Sequence, residues 1–256
     1  MGGQNHKPSN SRLRVLNPNK APEPNGISPR VPPELADILA PPLITLFQTS
    51  LDKGIVPKDW KMAFVCPLYK KGEKSLAANY RSINLTCVTS KIMEHILTTQ
   101  LMPFAKNTDL FHTHQHGIRR NHGCEKQLIE LTTDITNNLD NGQLTEACVI
   151  DCSKAFDKVN HNKLLKKLAH YGVSYQLIAW MEDFLSRRYQ KVVVNREEST
   201  ESPVTSGVPQ GSVLGPVMFL FYINGLPDKL GSALRLIADD TIVYNTTNNC
   251  RMISPS

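Results

Sequence analysis

An α+β fold is predicted for this chain, from three observations. Its 256 residues, 40% of them hydrophobic, are enough for a sizeable core in one large domain or two lobes. Apolar segments with helix and strand periods alternate irregularly, without the regular βαβ pattern of a doubly wound sheet. Two adjacent aspartates, Asp239 and Asp240, sit at the tip of the apolar run from Leu234 to Tyr244, which reads as strand, tight turn and strand.

Taken in order, residues 1–34 are rich in Pro, Asn, Lys and Arg and read as a flexible N-terminal segment. Residues 34–52 carry helix-spaced apolar positions interrupted by Pro41-Pro42. Trp60 to Tyr69 reads as a strand ending in the basic turn Lys70-Lys71-Gly72. Ser90 to Phe104 and Glu125 to Leu139 read as helices. In the second, Leu128, Leu131, Ile135 and Leu139 form a stripe that core packing explains. Ala147 to Asp151 is a short apolar strand ending on a carboxylate. Helices follow at about 161–170 and 174–187, then a strand from Gln190 to Asn195. Ser206 to Ser212 is a turn rich in Gly and Pro, leading into an apolar helix from about 213 to 223. The hairpin comes last, and 245–256 form a polar tail without apolar period.

The net charge of +6 suits a polyanionic partner, although a solvated basic surface explains it equally well. Six cysteines without CxxC spacing, and no secretory signal, suit a reduced intracellular protein. The longest apolar stretch, Val213 to Ile223, is too short to span a bilayer, so no membrane partner is expected. His112, His114, His116, His122 and Cys124 crowd together, but their spacing matches no standard zinc finger.

Adjacent carboxylates repel one another, so the Asp239-Asp240 pair calls for a cation; the alternative is an ordinary turn, where Asp is common. If the strand ending at Asp151 neighbours the hairpin, three carboxylates converge. Such a set holds two Mg²⁺ about 3.5–4 Å apart, the arrangement used for in-line phosphoryl transfer. Lys70, Lys71 and Arg81 are the basic groups suited to a triphosphate, and Arg119-Arg120 to backbone phosphates; a solvated surface explains each alone. Gly211 and its neighbours let the backbone near Gln210 approach a base or sugar closely. Phe156 suits a place under a sugar ring or in the core.

These segments resemble a family. Ile150-Asp151-Cys152-Ser153-Lys154-Ala155-Phe156-Asp157 is similar to the first palm motif of reverse transcriptases, Ser206-Gly207-Val208-Pro209-Gln210-Gly211-Ser212 to the second, and Ala238-Asp239-Asp240 to the third. Asn79-Tyr80-Arg81-Ser82-Ile83 and Gln115-His116-Gly117-Ile118-Arg119 resemble finger motifs. With Tyr222-Ile223-Asn224, the wording resembles LINE-type (non-LTR), jockey-like retrotransposon polymerases, over about Leu13 to Tyr244. The chain departs from the usual pattern at Ser82 (proline), Ile118 and Ile237 (aromatic) and Gly225 (aspartate), and in the block Lys20 to Gly26.

The resemblance implies a right-hand polymerase: fingers with early palm over 35–145 and the catalytic palm over 146–244. Late palm segments, thumb and a preceding endonuclease are missing, as in a truncated copy. It implies an RNA-directed DNA polymerase adding dNTPs to a DNA primer on an RNA template, impaired by truncation. The alternative is an inactive relic that only binds nucleic acid. Asp151 and Asp239 become metal ligands and Asp240 the third carboxylate. The cofactor is two Mg²⁺, with Mn²⁺ as a substitute, and no other small-molecule cofactor is implied. Phe156 becomes the gate against a ribose 2′-hydroxyl, Gln210 a neighbour of nucleotide and template, and Lys70, Lys71 and Arg81 ligands of the triphosphate. Priming on chromosomal DNA implies a nuclear site of use.

Overall fold

The computed structural model describes residues 13–15, 31–119, 123–152, 154–227 and 233–247. Contacts divide the chain into two units, Met1–Phe104 with Phe156–Met218, and Ala105–Ala155 with Phe219–Ser256. Within the second unit, Gln115 of the first stretch bridges Leu236 of the second.

The first unit begins with α1 (Val31–Glu34) and α2 (Ala36–Lys53). α2 runs through Pro41 and Pro42, which were expected to interrupt it. Both prolines are exposed, so water satisfies the carbonyls that lose their intrahelical donors. Gly54 ends the helix in the left-handed region, its N–H turned back to Leu51 and Ser50.

The sheet of this unit is built on β1 (Met62–Tyr69), with β2 (Tyr80–Thr86) antiparallel on one side and β4 (Arg188–Val194) parallel on the other. Two short strands, β5 (Glu197–Glu198) and β6 (Ser202–Val204), pair with successive parts of β4. α3 (Val88–Asn107), α5 (His161–His170), α6 (Tyr175–Leu185) and the start of α7 (Leu214–Ile223) supply the remaining apolar faces. Asn160 and Ser174 cap α5 and α6 by accepting from the amides of Lys163 and Leu177.

The core of the first unit is mostly aliphatic, with Phe47, Trp60, Trp180 and Phe184 buried in it. Trp180 stacks on Phe184 at 5.3 Å between centroids, and Phe47 meets Trp60 edge-on at 5.8 Å. The Trp180 indole donates to Ser50 Oγ at 2.9 Å, so its polar edge is satisfied. Beside it Lys61 and Asp183 form a buried ion pair at 2.8 Å, and the Val56 amide donates to the same carboxylate. Burial pushes the Asp183 carboxyl up, but hydrogen bonds from Lys61, Val56 and Arg187 outweigh it and hold the group below the ordinary carboxylate range.

The second unit is a three-stranded antiparallel sheet in the order β3 (Leu144–Asp151), β8 (Asp240–Thr247), β7 (Ala233–Ile237), with α4 (Cys124–Asp140) against it. β8 runs to Thr247 opposite Leu144, so the first three residues of the polar tail continue the ladder. Asn138 holds this end, its Nδ2 donating to Thr145 Oγ1 and Thr246 Oγ1.

Only part of the apolar stripe of α4 is covered as expected, Leu131 and Ile135 being half-buried. Leu128 and Leu139 are 52% and 59% exposed, whereas Gln127 is 2% exposed. The reason is Arg235 on β7. Its guanidinium donates to Glu130 Oε2 at 2.7 Å and Asp134 Oδ2 at 2.6 Å, and the Tyr244 hydroxyl donates to the same Asp134 oxygen. A buried cation needs paired anions, so the polar edge of the helix turns inward. Among the described residues no helix is long and apolar enough to cross a membrane.

Candidate active site

The β3–β8 ladder places Asp151 directly opposite Asp240. Ile237 pairs with Asp240 across the hairpin, leaving Ala238-Asp239 as a two-residue turn. The strand ending at Asp151 is therefore a neighbour of the hairpin within one sheet, the condition set for the three carboxylates to converge. Directly opposed like charges destabilise a ladder. The Asp240 carboxyl is accordingly raised above its ordinary value, by burial first and then by the negative charges of Asp239 and Asp151. Among the described residues, no three His, Cys, Asp or Glu side chains are gathered closely enough to form a finished ligand cluster. The donor set is nonetheless of the right kind: three carboxylates on one turn and its neighbouring strand, two of them opposed in the ladder.

The turn has a left-handed first residue. Ala238 has φ 55°, the requirement of hairpin turns of the primed types at this position, usually met by glycine. The segment 114–117 lies beside it. Gln115 forms a parallel bridge with Leu236, the His116 amide donates to Leu236 O at 2.9 Å, and the Leu236 amide to His114 O at 3.0 Å. Gly117 is required there, because a Cβ would stand 2.3 Å from the Ala238 nitrogen.

The histidines of this region have local duties. His114 Nδ1 lies 2.6 Å from Arg235 Nη1, and His116 Nε2 lies 3.4 Å from Glu130 Oε2. Burial, then the Arg235 charge, lowers the His114 pKa. The amide of His112 donates to Asn224 Oδ1, and Asn224 Nδ2 to Leu110 O. His122 lies outside the described residues.

Arg119 braces its own loop rather than standing free toward solvent: Nη1 donates to His112 O and Gln115 O, both at 3.0 Å. Its guanidinium also lies 5.8 Å from the Phe111 ring centroid. Arg120, expected beside it as a phosphate contact, lies outside the described residues.

The other expected site residues belong to the first unit. The β1–β2 hairpin brings three cations to one end: Arg81 pairs with Leu68 in the ladder, and the Lys70 amide donates to Asn79 O at 2.9 Å, just before Lys71. All three side chains are exposed. The turn from Ser206 to Ser212 is laid against residues 156–159. The Val208 amide donates to Phe156 O, the Gly207 amide to Val159 O, and Gln210 Nε2 to Asp157 Oδ1, each at 2.9 Å. Phe156 is half-buried. Two glycines permit the close approach. A Cβ on Gly207 would stand 2.6 Å from Asp157 Cα, and one on Gly211 2.3 Å from Asn84 O, and both have positive φ.

Glu94 holds the exit of this turn, and sequence reasoning passed it over. It is fully buried and accepts from the amides of Val213 at 2.7 Å and Leu214 at 3.0 Å, where α7 starts, and from Ser90 Oγ at 2.8 Å. Burial raises its pKa, while the helix amides and Ser90 pull the other way. A signal was available: Glu94 stands on the same apolar stretch as Ile92, Met93 and Leu97, all buried. The Arg235, Glu130, Asp134 and Tyr244 cluster had no comparable signal, since its members are far apart in sequence.

Comparison with known proteins agrees with this geometry. Residues 68–253 match the family described as reverse transcriptase (RNA-dependent DNA polymerase). A probable RNA-directed DNA polymerase from transposon BS of Drosophila melanogaster is 30% identical over 223 residues, covering 81% of this chain and 24% of that protein. The RNA-directed DNA polymerase from mobile element jockey of the same species is 30% identical over 216 residues, with coverages of 81% and 24%. Its counterpart from Drosophila funebris is 28% identical over 232 residues, with coverages of 90% and 25%. The chain thus spans about a quarter of the length of these relatives. With the family match covering most of its length, the chain belongs to the reverse transcriptase family, and these relatives are consistent with its LINE-type, jockey-like branch.

Proposed function

We propose that the chain is the polymerase domain of an RNA-directed DNA polymerase, extending a DNA primer on an RNA template with dNTPs. The observation that carries this reading is the ladder pairing of Asp151 with Asp240 beside the Asp239 turn, in a chain of this family. In this reading the second unit is palm and the β1–β2 hairpin belongs to the fingers.

Asp151 and Asp239 would hold two Mg²⁺, with Asp240 as the third carboxylate. When bound, the ions supply Lewis acidity toward the primer 3′-hydroxyl and neutralise charge on the departing pyrophosphate. The residues of the chain do the rest. Lys70, Lys71 and Arg81, exposed at one end of a hairpin, take the triphosphate oxygens by charge-assisted hydrogen bonds. Phe156 closes the space that a ribose 2′-hydroxyl would need. Gln210 and Gly211 present the turn to the nucleotide and template, with Gln210 oriented by Asp157. Priming on chromosomal DNA would place this work in the nucleus.

Primer extension on an RNA template tests the proposal. Wild-type protein is expected to incorporate dNTPs with Mg²⁺, and Asp239→Ala to lose incorporation while retaining RNA binding. Incorporation that survives Asp239→Ala refutes the carboxylate assignment. RNA binding without incorporation by either protein supports instead a chain that only binds nucleic acid.

A further inference from the structure

The Asp239-Asp240 turn is supported by a side chain to which no role in the chemistry has been given. Gln115 is 1% exposed. Its Oε1 accepts two backbone N–H groups, from Gly117 at 2.8 Å and from Ala238 at 3.2 Å. Both neighbours of this atom are donors, so the amide orientation is fixed by chemistry. Nε2 has no hydrogen-bond partner among the described residues. The side chain is therefore held for its acceptor alone, at the cost of an unsatisfied donor.

The position of that acceptor is informative. Ala238 immediately precedes Asp239 and is the residue held in the left-handed region. A non-glycine residue stays there only where its surroundings over-determine it. Three features do so: the Gln115–Leu236 bridge, the Gly117 backbone pressed against Ala238, and the Oε1 bond to the Ala238 amide. A carboxylate at position 115 would supply the same acceptor but add a negative charge beside a turn that already carries two. The amide accepts without that charge.

Resting on the two-metal reading above, we infer that Gln115 is a positioning residue: through the Ala238 amide it sets the backbone angle from which Asp239 reaches the metal. Residues that orient ligands are felt in metal affinity, commonly by about 10–100-fold. Loss of the acceptor frees the Ala238 amide, lets the turn relax and spreads the Asp239 carboxylate over several directions.

The test is Mn²⁺ binding, read as the loss of the free-ion electron paramagnetic resonance signal, with thermal melting measured in parallel. Four proteins are compared: wild type, Asp239→Asn, Gln115→Met and Gln115→Glu. Gln115→Met keeps the volume and removes the acceptor; it is expected to melt cooperatively and to bind Mn²⁺ about tenfold more weakly than wild type. Gln115→Glu keeps an acceptor oxygen at the same reach and, with its added charge favouring a cation, is expected to bind at least as tightly as wild type; if Gln115→Met does not fold, Gln115→Leu replaces it with the same expected loss. Wild-type affinity in folded Gln115→Met overturns the inference. So does equal weakness of both Gln115 variants, which would assign the loss to packing rather than to the acceptor. If Asp239→Asn binds Mn²⁺ as wild type does, the carboxylate reading itself fails and the inference falls with it.

Discussion

Asp240 faces Asp151 across a ladder with like charge on both sides, and burial, then the charges of Asp239 and Asp151, raise its pKa. A cation that binds only the folded chain relieves this and stabilises it by mass action, by about 2.7 kcal/mol at a hundredfold excess over Kd. Mg²⁺ is therefore expected to raise the melting temperature of wild type and to leave Asp151→Asn almost unmoved, with EDTA reversing the gain; differential scanning fluorimetry reads both. Lys70 and Lys71 support a separate expectation. Each charge-assisted hydrogen bond to a triphosphate is worth about 1.5–3 kcal/mol, so Lys70→Ala or Lys71→Ala should raise the dNTP KM by about tenfold or more. RNA affinity should change little, and filter binding beside steady-state kinetics separates the two. At this scale the carboxylates, the two lysines and Gln210 stood out as candidates because their residue types and neighbours name a chemistry. Gln115 did not, because its meaning lies in an amide 123 residues away, beyond any local pattern. Arg119 was legible only as a charge; its use on the carbonyls of its own loop depends on how that loop folds.

At the scale of elements, α4 is held to the hairpin by charge. Arg235 is 7% exposed in its side chain and meets Glu130 and Asp134, with Tyr244 donating to the latter. Arg235→Met takes the guanidinium from Glu130 and Asp134, each about a third exposed, and is expected to destabilise the chain by about 1–3 kcal/mol. Urea unfolding measures this, and loss of the α4 contact should follow in hydrogen exchange of β7. Burial pushes the Asp134 carboxyl up, but the hydrogen bonds from Tyr244 and Arg235 prevail and leave it below its ordinary value. A depressed carboxylate contributes stability above its unfolded pKa, of about 3.9, and loses it as pH falls through the lower folded value. Asp134→Asn should therefore melt below wild type at pH 7, and the gap should close as the pH falls beneath the carboxylate range. The hairpin itself was legible from apolar residues on both sides of an acidic turn. The buried face of α4 was legible only in part, since Leu131 and Ile135 share it with Glu130 and Asp134, which answer a cation on a strand much later in the chain. The passage of α2 through Pro41-Pro42 was hidden for a simpler reason: the prolines face water, where their missing donors matter least. The continuation of β8 to Thr247 was hidden because its last residues, Asn245-Thr246-Thr247, pair through the backbone and lack apolar side chains.

For the whole molecule, the irregular order of helices and strands pointed to a mixed architecture, and the motifs in order pointed to the family; both follow from the chain as a line of text. The division into two units did not, because each unit is assembled from two separated stretches of chain. The net charge of +6 gives the nucleic-acid reading its whole-chain consequence. Binding that releases counterions weakens log-linearly with salt, by about 0.7 per contacted phosphate on a single strand. RNA affinity measured by fluorescence anisotropy should therefore fall steeply between low and physiological salt, and with little regard for sequence. The central claim, however, concerns the carboxylates. It is tested most directly by single-nucleotide incorporation on a primed RNA template, followed as Mg²⁺ is titrated, for wild type and Asp151→Asn at equal RNA occupancy. Wild type is expected to gain activity saturably with Mg²⁺, and Asp151→Asn to incorporate slower by about 10³-fold or more at every concentration. An Asp151→Asn rate within tenfold of wild type, or incorporation indifferent to Mg²⁺, would contradict the account.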